Sequence, residues 1–188
     1  MTTIFLIHGS FGNPNENWFP WLKTELEALG HELIVPKFPT PIDQSLESWR
    51  KIFSKHKAKI DQNTIFIGHS LGPAFILDIL QQSNKKISVC FFVSGFLGLL
   101  GNPEFDQINQ TFTDRKFNFN KIRSSCQKII MFHSNNDPYV PIEKANELQQ
   151  KLDADLKIID NGGHFNKESG FLQFPQLLKE IKKNLVIL

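Results

Sequence analysis

The residues whose types and spacing best fit chemistry lie in Gly68-His69-Ser70-Leu71-Gly72. This pentapeptide follows the apolar run Thr64 to Ile67 and precedes a helical pattern from Ala74 to Leu80. A glycine-flanked serine on a sharp strand-to-helix turn is held in strained φ/ψ, while the glycines allow close backbone approach, so its hydroxyl is lifted clear of the sheet. The Leu71 N–H, at the start of the helix, can point toward a developing oxyanion. A plain Gly-Ser turn that caps a helix, with Pro73 tolerated in the first turn, accounts for the same residues without chemistry. What separates the two readings is a base, because a serine hydroxyl is a poor nucleophile until its proton is accepted.

A base and an orienting carboxylate follow in the chain. Asp137 lies in Ser134-Asn-Asn-Asp137-Pro-Tyr-Val-Pro141, a turn after an apolar run ending at Phe132. It is equally an ordinary turn signal, since aspartate before proline often caps its own turn. His164 lies in Asn161-Gly-Gly-His164-Phe165, and flanking glycines suit a bent loop better than a packed core histidine. Asp160 is the rival acid, but it ends the run that leads to His164, and its side chain is expected to diverge from the imidazole. His31 and His56 read as surface residues, His133 as a strand-end residue, and His69 as a residue lining the site at most. Serine, then aspartate, then histidine is the chain order of one known triad arrangement. The turn His8-Gly9-Ser10-Phe11-Gly12 could supply a second oxyanion donor from the backbone N–H of Ser10 or Phe11, or it could be only a glycine-rich turn.

These segments need a scaffold, and the hydrophobic pattern gives one. Short apolar runs at Ile4 to Ile7, Leu33 to Val35, Thr64 to Ile67, Ile87 to Val93, Lys128 to Phe132 and Leu156 to Ile159 read as strands. Between them lie helical patterns over Trp18 to Leu29 with Gly30 as C-terminal cap, from about Ser45 with Ser45 and Ser48 as possible caps, and over Ala74 to Leu80 and Ile142 to Leu152. A last one runs from about Phe174 to Leu185. Such alternation predicts right-handed crossovers and a mostly parallel sheet of about six strands with helices on both faces. Sheets of this kind take ligands at the carboxyl ends of their strands. Gly95 to Asn118 breaks the rhythm and reads as an irregular excursion over one end of the sheet.

Length and composition set the outer bounds. The 188 residues, 40% of them hydrophobic, suit one domain spanning 1–188 with a single core. A formal charge of +2 gives no basis for a nucleic-acid surface. The basic run Lys51 to Lys59 carries Ile52, Phe53 and Ile60 at roughly helical spacing and reads as the solvated face of an amphipathic helix. Cys90 falls in a buried strand and Cys126 in a polar turn, a spacing that suggests neither a metal site nor a disulfide framework. Met1 to Gly9 shows neither a basic leader nor a cleavage site and is too short to span a bilayer, so a cytoplasmic protein without membrane attachment is expected. No phosphate-loop or zinc spacing occurs.

Taken together, the chain resembles the small serine hydrolases related to retinoblastoma-binding protein 9 and their bacterial relatives. The match runs nearly end to end through His8-Gly9, Asn17-Trp18-Phe19-Pro20-Trp21-Leu22, Phe38-Pro39, Trp49, Gly68 to Gly72, Ser94-Gly95-Phe96, Asp137 to Pro141 and Gly162-Gly163-His164-Phe165. The resemblance implies an α/β-hydrolase fold with a minimal lid, no cofactor and no metal, and Ser70, Asp137 and His164 as the triad. The Leu-x-Cys-x-Glu motif that linked the name-giving member to a retinoblastoma partner is missing here, so that partner is not implied. The expected activity is cleavage of a carboxylic ester, amide or thioester of a small molecule through an acyl-enzyme on Ser70. Transfer to another acceptor by the same residues and a non-catalytic binding module on the same scaffold are the alternatives. The expected pocket draws on His8, Trp18, Phe19, His69, Phe96, Leu97, Phe112 and Phe165.

Overall fold

In the computed structural model, which describes residues 1–185, six strands form one wholly parallel sheet. The strands are β1 (Thr3–Ile7), β2 (Glu32–Ile34), β3 (Ile65–His69), β4 (Ile87–Val93), β5 (Cys126–Ser134) and β6 (Asp155–Ile159), in the spatial order β2-β1-β3-β4-β5-β6. The chain moves outward from β1 to β2, then returns past β1 to lay down β3, so the order reverses between β1 and β3. A crevice opens at such a reversal, outside the carboxyl ends of the two strands.

Period-two alternation divides the strand residues between two cores. Ile4, Leu6, Ile65, Ile67, Val89, Phe91 and Val93 face α1 (Phe19–Ala28) and α7 (Pro175–Asn184). Phe5, Ile7, Phe66, Cys90, Phe92 and Met131 face the opposite core, which holds buried residues of α2 (Leu46–Phe53), α3 (Gly72–Gln82), α5 (Phe119–Ser124) and α6 (Ile142–Leu152). Both faces are covered, which is why the strands read as continuous apolar runs. At the start of α2, Ser45 accepts from the Ser48 N–H at 3.1 Å, and the Ser48 hydroxyl accepts from the Ser45 N–H at 3.2 Å, closing a capping box.

Three local expectations are corrected. The stretch from Gly95 to Asn118 is not irregular throughout: it contains α4 (Pro103–Thr113). The Asn102 side chain accepts from the N–H groups of Glu104 and Phe105, Pro103 opens the first turn, and Glu104 and Asp106 favour the positive end of the helix dipole. The glycines and apolar residues just upstream hide that signature. Cys126 is not in a turn but opens β5, buried, with its Sγ 3.7 Å from that of Cys90. The basic run is helical only as far as Phe53 and continues as a 3₁₀ helix over Ser54–Lys59. Among the described residues, no helix is long and apolar enough to cross a membrane.

Candidate active site

Four of the loops that leave the carboxyl edge of the sheet carry a residue in the left-handed region, where side chains are disfavoured. These are Phe11 after β1 (φ 58°), Ser70 after β3 (φ 58°), Ser94 after β4 (φ 49°) and Asn161 after β6 (φ 57°). Such conformations cost about 1–3 kcal/mol each and persist where the surroundings hold them. For Ser70 the hold is visible: its N–H donates to the Val93 carbonyl at 2.9 Å, tying the turn to β4. The first loop passes very close to it. A Cβ on Gly9 would lie 2.6 Å from the Ser70 Cβ, so only glycine lets β1 deliver its loop beside the serine.

Asp137 and His164 meet across two loops. The His164 Nδ1–H faces the Asp137 carboxylate, 3.0 Å from Oδ1 and 2.9 Å from Oδ2. The Asp137 side chain is fully buried in this pair. Its Oδ1 also accepts from the N–H groups of Tyr139 at 2.9 Å and Val140 at 3.0 Å, and Oδ2 from the Ser94 hydroxyl at 2.7 Å. Burial works against the charged carboxylate, but the bonds from His164, Ser94 and Tyr139 outweigh it and hold the carboxyl below its usual range. The histidine loop is stapled to the aspartate loop. The N–H groups of Asn161, Gly162 and Gly163 donate to Asn135 Oδ1, Ser134 Oγ and Asn136 Oδ1 at 2.9, 2.8 and 2.8 Å. Asp160 is exposed and bonds Asn135, away from the imidazole.

With Nδ1 engaged, Nε2 is the His164 nitrogen left to accept a proton. Ser70 and His164 line the same cavity, although no hydrogen bond joins the hydroxyl to the imidazole among the described residues. Catalytic hydrogen bonds are often long in the unliganded state and tighten around substrate. His69, next to the serine, is buried, and its Nε2–H donates to the His164 carbonyl at 2.8 Å. Burial first, and the neighbouring His164 second, push its pKa down to about 3.

The two candidates for the second oxyanion donor differ. The Phe11 N–H is already taken up by Thr40 Oγ1 at 2.6 Å, which removes it as a donor to substrate. Ser10 lines the cavity, and its side chain is held in place: Oγ donates to Asn109 Oδ1 at 2.6 Å and accepts from Gln44 Nε2 at 2.9 Å. Asn109 lies on α4, so the helix that the sequence pattern hides braces this loop.

The cavity measures about 450 Å³. Of the expected pocket residues it receives His69 and Phe96. The other six lie elsewhere. Trp18, Phe19 and Phe165 belong to the core under α1 and α7, where the Trp18 indole N–H donates to the Phe165 carbonyl at 2.9 Å. His8 is buried, its Nε2 accepting from the Phe38 N–H at 3.1 Å. Phe112 packs on Trp49 with centroids 4.8 Å apart, and Leu97 packs against the same core. Leu97 is half-buried, and for the other five burial outweighs their place near the sheet end in sequence. The cavity takes instead Phe11, Leu100, Phe105, Tyr139 and Val140, with Glu16, Asn17, Asn166 and Lys167 as polar lining. Sequence reasoning counted Ser94 among the residues of the family resemblance but gave it no role; it sits just after β4 as Ser70 sits after β3.

A parallel sheet reversing between β1 and β3, with a serine elbow at the reversal, defines an α/β-hydrolase fold. The family model described as serine hydrolase matches residues 4–183, and the chain belongs to that family. It is 33% identical to YdeN of Bacillus subtilis over 174 residues, covering 92% of this chain and 90% of that protein. It is 27% identical to the serine hydrolase RBBP9 of Rattus norvegicus over 187 residues, covering 98% and 96%. The crystal structure of the B. subtilis ydeN gene product superposes with a TM-score of 0.91 at 30% identity, covering 98% of both chains.

Proposed function

We propose that the protein hydrolyses a carboxylic ester of a small molecule through an acyl-enzyme on Ser70. The observation that carries this reading is the buried Asp137 carboxylate 2.9 Å from His164 Nδ1, in a cavity that Ser70 also lines. The pairing fixes one imidazole tautomer and leaves Nε2 as the base. Ser70 Oγ attacks the carbonyl carbon while its proton passes to His164 Nε2. The oxyanion of the tetrahedral intermediate is met by the N–H groups of Leu71 and Ser10, which make no other hydrogen bond among the described residues. Collapse breaks the bond to the alcohol oxygen, which leaves with the His164 proton, and the acyl group stays on Ser70. Water then attacks with His164 as base, and the acid is released. Asp137 remains ionised throughout and stabilises the imidazolium.

The test is labelling by a fluorophosphonate probe together with turnover of p-nitrophenyl esters. The wild type should do both, and Ser70→Ala should do neither while its thermal transition stays close to wild type. Labelling retained by a folded Ser70→Ala protein would refute the nucleophile.

A further inference from the structure

Three aromatic side chains of the cavity wall form one continuous row that ends on His164. Phe11 meets Phe105 edge to face at 5.8 Å, Phe105 meets Tyr139 at 5.8 Å, and Tyr139 meets the His164 imidazole at 5.0 Å, with interplanar angles of 81°, 70° and 82°. Three separate segments build it: the loop after β1, helix α4, and the loop after β5 that carries Asp137. Phe11 and Tyr139 are 45% and 43% exposed, so a large part of the row faces solvent instead of the core. Exposed apolar surface gathered beside convergent polar groups is the usual composition of a ligand site. Phe96, Leu100 and Val140 extend the apolar part of the lining, and Glu16, Asn17, Asn166 and Lys167 give it polar groups.

Size narrows the occupant. An enclosed apolar space of about 150 Å³ accepts benzene. A cavity of about 450 Å³ therefore admits one such ring and leaves about twice the ring's own space for a polar remainder. The link between ring and reacting carbon must be short, because Tyr139 lies directly against His164.

We propose that the site selects esters that carry a flat aromatic group close to the carbonyl, its ring held by Phe11, Phe105 and Tyr139 and its other end by the polar lining. This specificity rests on the Ser70 acyl-enzyme reading above. The overall reaction is ester plus water giving carboxylic acid plus alcohol, with no further reactant.

Two matched substrate pairs test it: methyl 3-phenylpropanoate against methyl propanoate, with the ring on the acyl side, and benzyl acetate against ethyl acetate, with the ring on the alcohol side. For the wild type, kcat/KM should favour the aromatic member of at least one pair by about tenfold or more, the order expected from aromatic contacts of this kind. Whichever pair shows it assigns the ring to that side. In Phe105→Ala the preference should fall by about tenfold, and Tyr139→Leu, on a separate segment, should lower it in the same sense should the first variant fold poorly. A ratio near one for both pairs in the wild type, or a preference that survives both substitutions, overturns the proposal. Fluorophosphonate labelling in the same preparations separates the two levels: labelled enzyme without aromatic preference sinks the specificity alone, whereas wild-type enzyme that neither labels nor turns over any of the four esters sinks the Ser70 reading as well.

Discussion

The imidazole of His69 donates its Nε2–H to the main-chain carbonyl of His164 at 2.8 Å, and the two rings lie 4.9 Å apart. Since His69 immediately precedes Ser70, this one bond fastens the serine turn to the loop bearing His164, two segments that otherwise arrive from different strands.

Replacing His69 should therefore disturb the alignment of Ser70 with His164 more than it disturbs substrate binding. His69→Leu, which lacks the donor, should lower kcat by at least about tenfold, the loss expected when a buried acceptor is left unpaired, with KM little changed. His69→Gln keeps an N–H donor and should recover most of it. Equal damage in both variants would mean that only packing matters. The same residue sets a pH dependence. Its folded pKa, about 3, lies below the ordinary 6.5, so the unfolded chain binds the extra proton first. The contribution to stability is whole above pH 6.5 and is lost as pH falls toward about 3. Acid titration of unfolding free energy should show a shallower decline over that window for His69→Gln than for the wild type.

Asp137 offers a graded pair of changes. Asp137→Asn preserves shape but not charge, favours the wrong imidazole tautomer, and should reduce kcat by about 10⁴-fold, as in the trypsin-type triad. Ser94→Ala removes only the 2.7 Å bond to Oδ2 and should cost about tenfold, the scale of one hydrogen bond to a charged group. Steady-state kinetics on one ester would rank them, and an Asp137→Asn protein as fast as wild type would remove the carboxylate from the mechanism.

Phe112 should behave as a structural residue. It is 1% exposed and wedged against Trp49 and Phe75, anchoring α4 and with it Asn109 and Phe105. Phe112→Ala should destabilise by about 3–5 kcal/mol, lowering Tm by about 10 °C in a chain of this size. Calorimetry would check this, and a shift of under about 2 °C would show that the helix does not depend on that contact.

The sequence alone determined the strand and helix rhythm and pointed to Ser70, Asp137 and His164. Apolar period, caps such as Ser45 and glycine-flanked turns are local properties, written in neighbouring residues. Tertiary structure alone decided which aromatics leave the core. Trp18, Phe19, Phe112 and Phe165 are as aromatic as Phe105 and Tyr139, yet the first four are enclosed between sheet and helices and the other two line the cavity. Whether a side chain is buried depends on which segments pack over it, and those segments lie far away along the chain. The same holds for Ser94 on Asp137, His69 on the His164 carbonyl and Asn109 on Ser10, contacts that span 43, 95 and 99 residues and leave no periodic trace.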